Sequence, residues 1–210
     1  MFRRIYNEIL FENRYIKKNT FFRLSLGEIL PNFDKIIYLD SDTICLKDLS
    51  KLYNINPLDK MFMGKIITYN RKNHDFIIDT GVLLLNLRKM RELQVERKVI
   101  TLLNSGYRHP IFHDQAIINI YFKKYIGVIS PEYNAYPFSF RNVKQYKKES
   151  GGLYDLDSIY FSLKFPSIIH YRGSPENKTF DKENWYFFAR HSKYFHERSY
   201  NIANIFNFSV

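Results

Sequence analysis

The sequence predicts an α/β domain with a mainly parallel sheet. Three observations carry that reading. Short apolar runs recur at 34–39, 61–69, 81–87, 126–130 and 166–173. Longer stretches with helical spacing separate several of them, above all 88–106 and 113–125. Apolar residues make up 45% of a 210-residue chain, enough to bury one large core. Strands alternating with helices are the mark of βαβ units, whose ligands bind outside the carboxyl ends of the strands.

Each element has a local reason. "TFFRLSLGEI" (20–29) reads as a short amphipathic helix, stopped by Pro31. "DKIIYL" (34–39) reads as a buried strand. "DLSKLY" (48–53) reads as a short helix capped by Asp48. "MFMGKIITY" (61–69) is a second strand. "GVLLLNL" (81–87) is continuously apolar, as expected of a strand buried on both faces. It leads into "RKMRELQVERKVITLLNSG", one long helix ending near Gly106, a usual stop. "HDQAIINIYFKKY" (113–125) places Ile117, Ile118, Tyr121 and Phe122 on one helical stripe. "IGVIS" (126–130) is a strand ended by Pro131, and "PSIIHYRG" (166–173) is a strand or strand end. Residues 184–206 read as a basic, aromatic helical tail.

Composition narrows the function classes. Basic residues outnumber acidic ones 32 to 21, a net charge of +11, which favours anionic partners without choosing among them. The basic residues are scattered and no nucleic-acid motif is present, so a nucleic-acid partner is not expected. One cysteine, Cys45, allows no internal disulfide and points to a reducing compartment. The first residues make a poor signal peptide because Glu8, Glu12 and Arg14 interrupt the apolar run. No apolar window reaches the ~18 residues of a membrane span. "NKT" and "NFS" match the glycosylation pattern and, without a secretory signal, read as chance.

The chemistry concentrates at "YLDSD". Asp40 and Asp42 follow an apolar strand, one residue apart. Two such carboxylates repel unless a cation or hydrogen-bond donors hold them, and hard oxygen ligands suit Mg2+, Ca2+ or Mn2+. Taken alone, the tripeptide reads as a turn whose aspartates cap local N–H groups.

The wider order of motifs changes that weight. "TFFRLSLGEILPNFDKIIYLDSD", then "DTGVLLLNLRKMRE", "FHDQAIINIYF", "PEYNAYP" and "IIHYRG" with a lysine soon after closely resemble, in sequence, glycosyltransferase family 8. That family has a GT-A fold, a Rossmann-like mixed sheet flanked by helices. Its members transfer a sugar from a nucleotide donor with retention of anomeric configuration. The resemblance implies roles residue by residue. Asp40, Asp42 and His170 would hold a divalent cation, with an imidazole favouring Mn2+ over Mg2+. Arg23, Asp79 and Thr80 would contact the nucleotide sugar. Gly173 would let backbone approach a phosphate, and Lys178 would supply it with a charge. Asp114 would bind sugar hydroxyls, and Gln115 would sit near the anomeric carbon, where its amide oxygen could stabilise an oxocarbenium-like transition state.

The chain also departs from the family pattern. Asp79-Thr80-Gly81 stands where the family usually has Asn-Ser/Ala-Gly. Four residues rather than two separate Gly173 from Lys178, which is followed by Thr179 and Phe180 rather than Pro and Trp. The resemblance also implies an N-terminally truncated domain, since the family's usual first strand-helix unit has no room ahead of Arg23.

The expectation is therefore a metal-dependent hexosyltransferase moving glucose or galactose from a UDP-sugar to a saccharide or lipopolysaccharide-type acceptor. A catalytically inactive remnant that binds a glycan or a partner is the alternative. Residues 1–183 would be the catalytic domain. Residues 184–210 would be the tail, whose aromatics and cations suit peripheral contact with the inner face of a membrane from the cytoplasm.

Overall fold

The computed structural model describes residues 21–70, 75–106, 113–136 and 143–171. The tail at 184–210, Gly173 and Lys178 lie outside the described residues. The described elements run, in chain order, α1 (Phe22–Ile29), β1 (Lys35–Leu39), β2 (Thr43–Cys45), α2 (Ser50–Tyr53), β3 (Phe62–Gly64), β4 (Ile66–Asn70), β5 (Asp75–Ile78) and β6 (Val82–Asn86). Next come α3 (Leu87–Glu92), α4 (Val95–Asn104) and α5 (His113–Ala116), which continues as a π-helical turn at Ile117–Tyr121 and a 3-10 turn at Lys123–Tyr125. Then follow β7 (Ile126–Val128), a 3-10 turn at Pro131–Asn134, α6 (Val143–Glu149), α7 (Leu156–Lys164) and β8 (Ile168–His170).

A four-stranded sheet in the order β1-β6-β3-β7 forms the centre. It is mixed: β6 is antiparallel to β1 and β3, and β3–β7 is parallel. The parallel share is smaller than strand-helix alternation suggests. The chain reaches β6 from β3 through the β4–β5 hairpin rather than a helical crossover, so the strand returns antiparallel. Two short antiparallel ribbons, β2–β8 and β4–β5, complete the strand pairing among the described residues.

β6 organises the packing. Its residues alternate between faces. Leu83 and Leu85 join one core with Leu24, Met90, Val99 and Ile117, while Val82 and Leu84 join a second with Leu52, Ile129, Tyr133 and Ile168. All four are fully buried, as a continuously apolar run requires. β1 was expected to be buried as well, but it is half-buried along its whole length. It stands at the end of the sheet order, with β6 its one strand partner among the described residues.

Three further expectations change in detail. The 61–69 run is two strands in two different sheets, because buried Lys65 interrupts it. The Lys65 Nζ donates to the Asn134 carbonyl at 2.5 Å and lies 3.1 Å from the centre of the Tyr136 ring. The long helix at 88–106 is broken between α3 and α4 by Gln94, whose φ of 50° lies in the left-handed region. The 113–125 segment is helical but irregular, with Phe122 N–H reaching back to the Ile117 carbonyl across the π turn. The wider turn shifts the stripe: Ile117, Ile118 and Phe122 are buried, whereas Tyr121 is 50% exposed. Asp48 does serve the start of α2, accepting from Ser50 N–H at 2.6 Å.

Candidate active site

Backbone pairing brings the predicted site residues together. Asp40 N–H donates to the Gly81 carbonyl at 2.7 Å, which extends the β1–β6 ladder past Leu39. Thr43 pairs with His170 in the β2–β8 ribbon, and Tyr171 N–H donates to the Asp42 carbonyl at 2.9 Å. Asp42 thus sits beside His170. On the other side of β8, His170 N–H donates to the Ala135 carbonyl, bringing Asn134 and Tyr136 alongside the same histidine.

The result is a cluster in which one oxygen each of Asp40 and Asp42 and a nitrogen of His170 lie within 4.8 Å of one another. Two carboxylates and one imidazole fit a divalent cation of borderline hardness. His170 Nε2 lies 3.2 Å from Asp42 Oδ1. Gly81 makes room for the ring: a Cβ there would fall 2.1 Å from His170 Cε1.

Arg23 organises one side of this cluster. Its guanidinium, 4% exposed, lies 2.9 Å from Asp40 Oδ1 and 3.0 Å from Asp114 Oδ2, and donates to the Thr80 carbonyl. The planar fork suits several acceptors at once. The same guanidinium covers the Tyr38 ring at 4.5 Å, and the Tyr38 hydroxyl donates to Asp40 Oδ1 at 2.8 Å. Burial raises the Tyr38 phenol, Arg23 pulls the other way, and Asp40 adds to the rise, so Tyr38 remains a donor.

The other side is organised by Asp79. Its Oδ1 accepts from Gly81 N–H at 2.8 Å and from Asn134 Nδ2 at 2.9 Å, and its Oδ2 accepts from the Tyr136 hydroxyl at 2.7 Å. Burial opposes ionisation of Asp79, yet His170, Tyr136 and Asn134 outweigh it and hold the carboxyl well below the usual range. His170 Nδ1 lies 3.0 Å from Asn134 Oδ1 and 3.5 Å from Asp79 Oδ1. Burial alone would lower this imidazole, but Asp42 and Asp79 prevail and raise it to about 9.

Arg23, Asp40, Asp42, Asp79, Thr80, Asp114 and His170 therefore form one connected constellation. Both oxygens of Asp79 are engaged within the protein, so its geometry supports positioning of His170 and Asn134. Thr80 contributes its carbonyl to Arg23. Gln115 is half-buried at the start of α5, and its carbonyl accepts from Asn119 Nδ2 at 2.9 Å. Asn119 also clamps both backbone groups of Ile78, which ties α5 to the strand leading into Asp79.

Tyr38, Lys65 and Tyr136 were not singled out from the sequence. Tyr38 could have been found, since it lies two residues before Asp40 and so on the same strand face. Lys65, a lysine inside an apolar run, was also a visible signal. Tyr136 carries none.

Residues 1–179 match the glycosyl transferase family 8 sequence pattern. General stress protein A of Bacillus subtilis is 22% identical over 208 residues, covering 92% of this chain and 69% of that protein. A putative glycosyltransferase of Haemophilus influenzae is 28% identical over 134 residues, covering 59% of this chain and 41% of that one. The lipopolysaccharide 1,2-glucosyltransferase of Escherichia coli is 24% identical over 131 residues, covering 54% and 37%. The chain thus spans between about a third and two thirds of the length of these curated relatives. Among solved structures, an active-site mutant of LgtC superposes with a TM-score of 0.63 at 20% identity, covering 84% of this chain and 68% of that one. The galactosyltransferase LgtC in complex with donor and acceptor sugar analogues gives 0.61 at 20% identity, covering 88% and 71%. These likenesses establish a GT-A-type fold. With the family match over most of its length, the chain belongs to glycosyl transferase family 8, a family of sugar-transferring enzymes.

Proposed function

We propose that this chain is a divalent-cation-dependent hexosyltransferase that moves glucose or galactose from a UDP-sugar to a saccharide or lipopolysaccharide-type acceptor with retention. The observation that carries the reading is the convergence of Asp40, Asp42 and His170, from two separate parts of the chain, onto one point. The names of the similar proteins, a lipopolysaccharide glucosyltransferase and a galactosyltransferase bound to donor and acceptor analogues, support the choice of sugars and acceptor.

Asp40, Asp42 and His170 would hold Mn2+, which when bound neutralises the donor diphosphate and stabilises UDP as a leaving group. The protein's own groups are held in place beforehand. Arg23 fixes the Asp40 and Asp114 carboxylates through a buried guanidinium, so neither has to reorganise during the reaction. Asp114 orients the hydroxyls of the donor sugar. Gln115 presents its amide oxygen towards the anomeric carbon as positive charge develops there. A neutral amide is a poor nucleophile, so displacement on the same face is favoured, with the departing phosphate taking the acceptor proton. Gly173 and Lys178 complete the phosphate clamp in this reading.

The protein acts in the cytoplasm, with the 184–210 tail contacting the membrane surface that presents the acceptor. Sedimentation with anionic vesicles tests the tail: binding independent of anionic lipid removes that part. The central test is titration of UDP by calorimetry with and without Mn2+. Binding that requires Mn2+ is expected; no heat in either condition overturns the enzyme reading. Release of free sugar from UDP-glucose or UDP-galactose, followed by NMR of the anomeric proton, then identifies donor and stereochemistry.

A further inference from the structure

We infer that Lys65 is a positioning residue for the candidate cation site: its backbone and side chain hold Asp79, Asn134 and Tyr136, the groups packed around His170, in one frame. The inference rests on the cation-site reading above and deepens it.

Lys65 stands at the junction of β3 and β4, where the chain passes from the central sheet to the hairpin. It is 1% exposed. Burying an amine this deeply is costly unless its polar end is met inside the protein. Here Nζ donates to the Asn134 carbonyl at 2.5 Å and lies 3.1 Å from the centre of the Tyr136 ring. The Tyr146 ring flanks it at 5.0 Å. Aromatic faces attract an ammonium, and more strongly where water is excluded.

The backbone of the same residue reaches the same groups by another route. The Lys65 carbonyl accepts from Asp79 N–H at 2.8 Å. Asp79 in turn accepts from Asn134 Nδ2 at 2.9 Å and from the Tyr136 hydroxyl at 2.7 Å. These contacts close two circuits through Lys65. One passes from its carbonyl through Asp79 to the Asn134 side chain, then from the Asn134 carbonyl back to Nζ. The other passes through Asp79 and the Tyr136 hydroxyl, then from the Tyr136 ring back to Nζ. Both circuits meet His170. Asn134 Oδ1 lies 3.0 Å from His170 Nδ1, and the Tyr136 ring stands edge-on to the imidazole with centres 5.9 Å apart. A satisfied buried network of this kind holds its members rigidly, because none can move without straining two contacts. Lys65 reaches the histidine through Asn134 and Tyr136, so its loss should loosen the wall against which the imidazole packs.

The test is Mn2+ affinity measured by electron paramagnetic resonance in four proteins: native, Lys65→Met, Tyr136→Phe and the two combined. Methionine keeps most of the side-chain bulk and removes the donor. Each single variant should bind Mn2+ roughly 10-fold more weakly, the low end of the usual cost of losing support around a metal ligand. The double variant should lose little more than the worse single one, because both changes break the same frame. Native protein that takes up no Mn2+ overturns the cation site and this inference with it. Native uptake beside a folded Lys65→Met variant of native Mn2+ affinity, whatever its urea midpoint, makes Lys65 a purely structural lysine and overturns only this inference. Losses that simply add in the double variant overturn it as well. Proton NMR of native protein gives a readout that needs no variant to fold. The Lys65 ε-methylene protons should be displaced upfield by the Tyr136 ring, and resonances at the ordinary lysine position overturn the frame.

Discussion

The two sides of the candidate site are built on different principles. On one, a single buried cation, Arg23, gathers Asp40, Asp114 and the Thr80 carbonyl. On the other, a buried anion, Asp79, gathers Tyr136, Asn134, Gly81 N–H and His170. The Arg23 side works by charge: remove the guanidinium and two carboxylates face each other with less to hold them. The Asp79 side works by direction: the hydrogen bonds of Asp79 and Asn134 hold the side chains around the histidine ring in place. The candidate cation site thus combines one charge-braced carboxylate with one direction-braced imidazole.

Loss of Arg23 is the harshest way to break this contrast. Arg23→Met should destabilise the fold by about 3–5 kcal/mol, because it strands buried charge. Urea unfolding followed by circular dichroism would measure it. A change under about 1 kcal/mol would mean that water or a rearranged partner serves Asp40 and Asp114 equally well.

Smaller losses are expected on the directional side. Tyr136→Phe removes one donor to an ionised, buried carboxylate and should cost about 1.5–3 kcal/mol in the same unfolding experiment. Gly81→Ala forces a Cβ against the imidazole and should cost about 1–3 kcal/mol by overpacking, while also displacing His170. Its Mn2+ affinity should fall along with its stability, and a loss of stability with unchanged Mn2+ affinity would separate the ring's position from cation binding.

Asp42→Ala sharpens the comparison from the other end. Asp42 is partly exposed, and its pair with His170 should be worth no more than about 1 kcal/mol to the fold. Metal-dependent UDP binding should nonetheless disappear. If UDP binding and turnover persist in this variant, Asp42 is a turn residue and the ligand set must be redrawn.

Much of the architecture was legible beforehand because it depends on local pattern. The run at 81–87 is buried on both faces because it is apolar at every position, and β6 has to feed two cores. α1 ends before Pro31 as expected. What was missed follows from contacts distant in sequence. The 61–69 run divides at Lys65 because β3 pairs with β6 and β7 whereas β4 pairs with β5, and the Lys65 ammonium is met by Asn134, sixty-nine residues later. The 88–106 helix breaks at Gln94, whose left-handed backbone no helical periodicity announces. Tyr121 leaves the core because a π turn, invisible in a spacing of four, rotates it outwards.

The same division holds for the site. The sequence by itself determined the chemical inventory: two aspartates after a strand, an Asp-Gln pair opening a helix, a histidine closing a later strand, and an arginine ahead of them all. Order and residue type were enough to mark these positions, because both are properties of the chain. Only the tertiary structure decided which groups each one touches. Both oxygens of Asp79 accept hydrogen bonds from groups inside the protein. Asn134 and Tyr136 reach His170 because the backbone at 135 pairs with β8. Hydrogen-bond direction depends on which groups face one another in space, and that is settled by the packing of strands far apart in the chain.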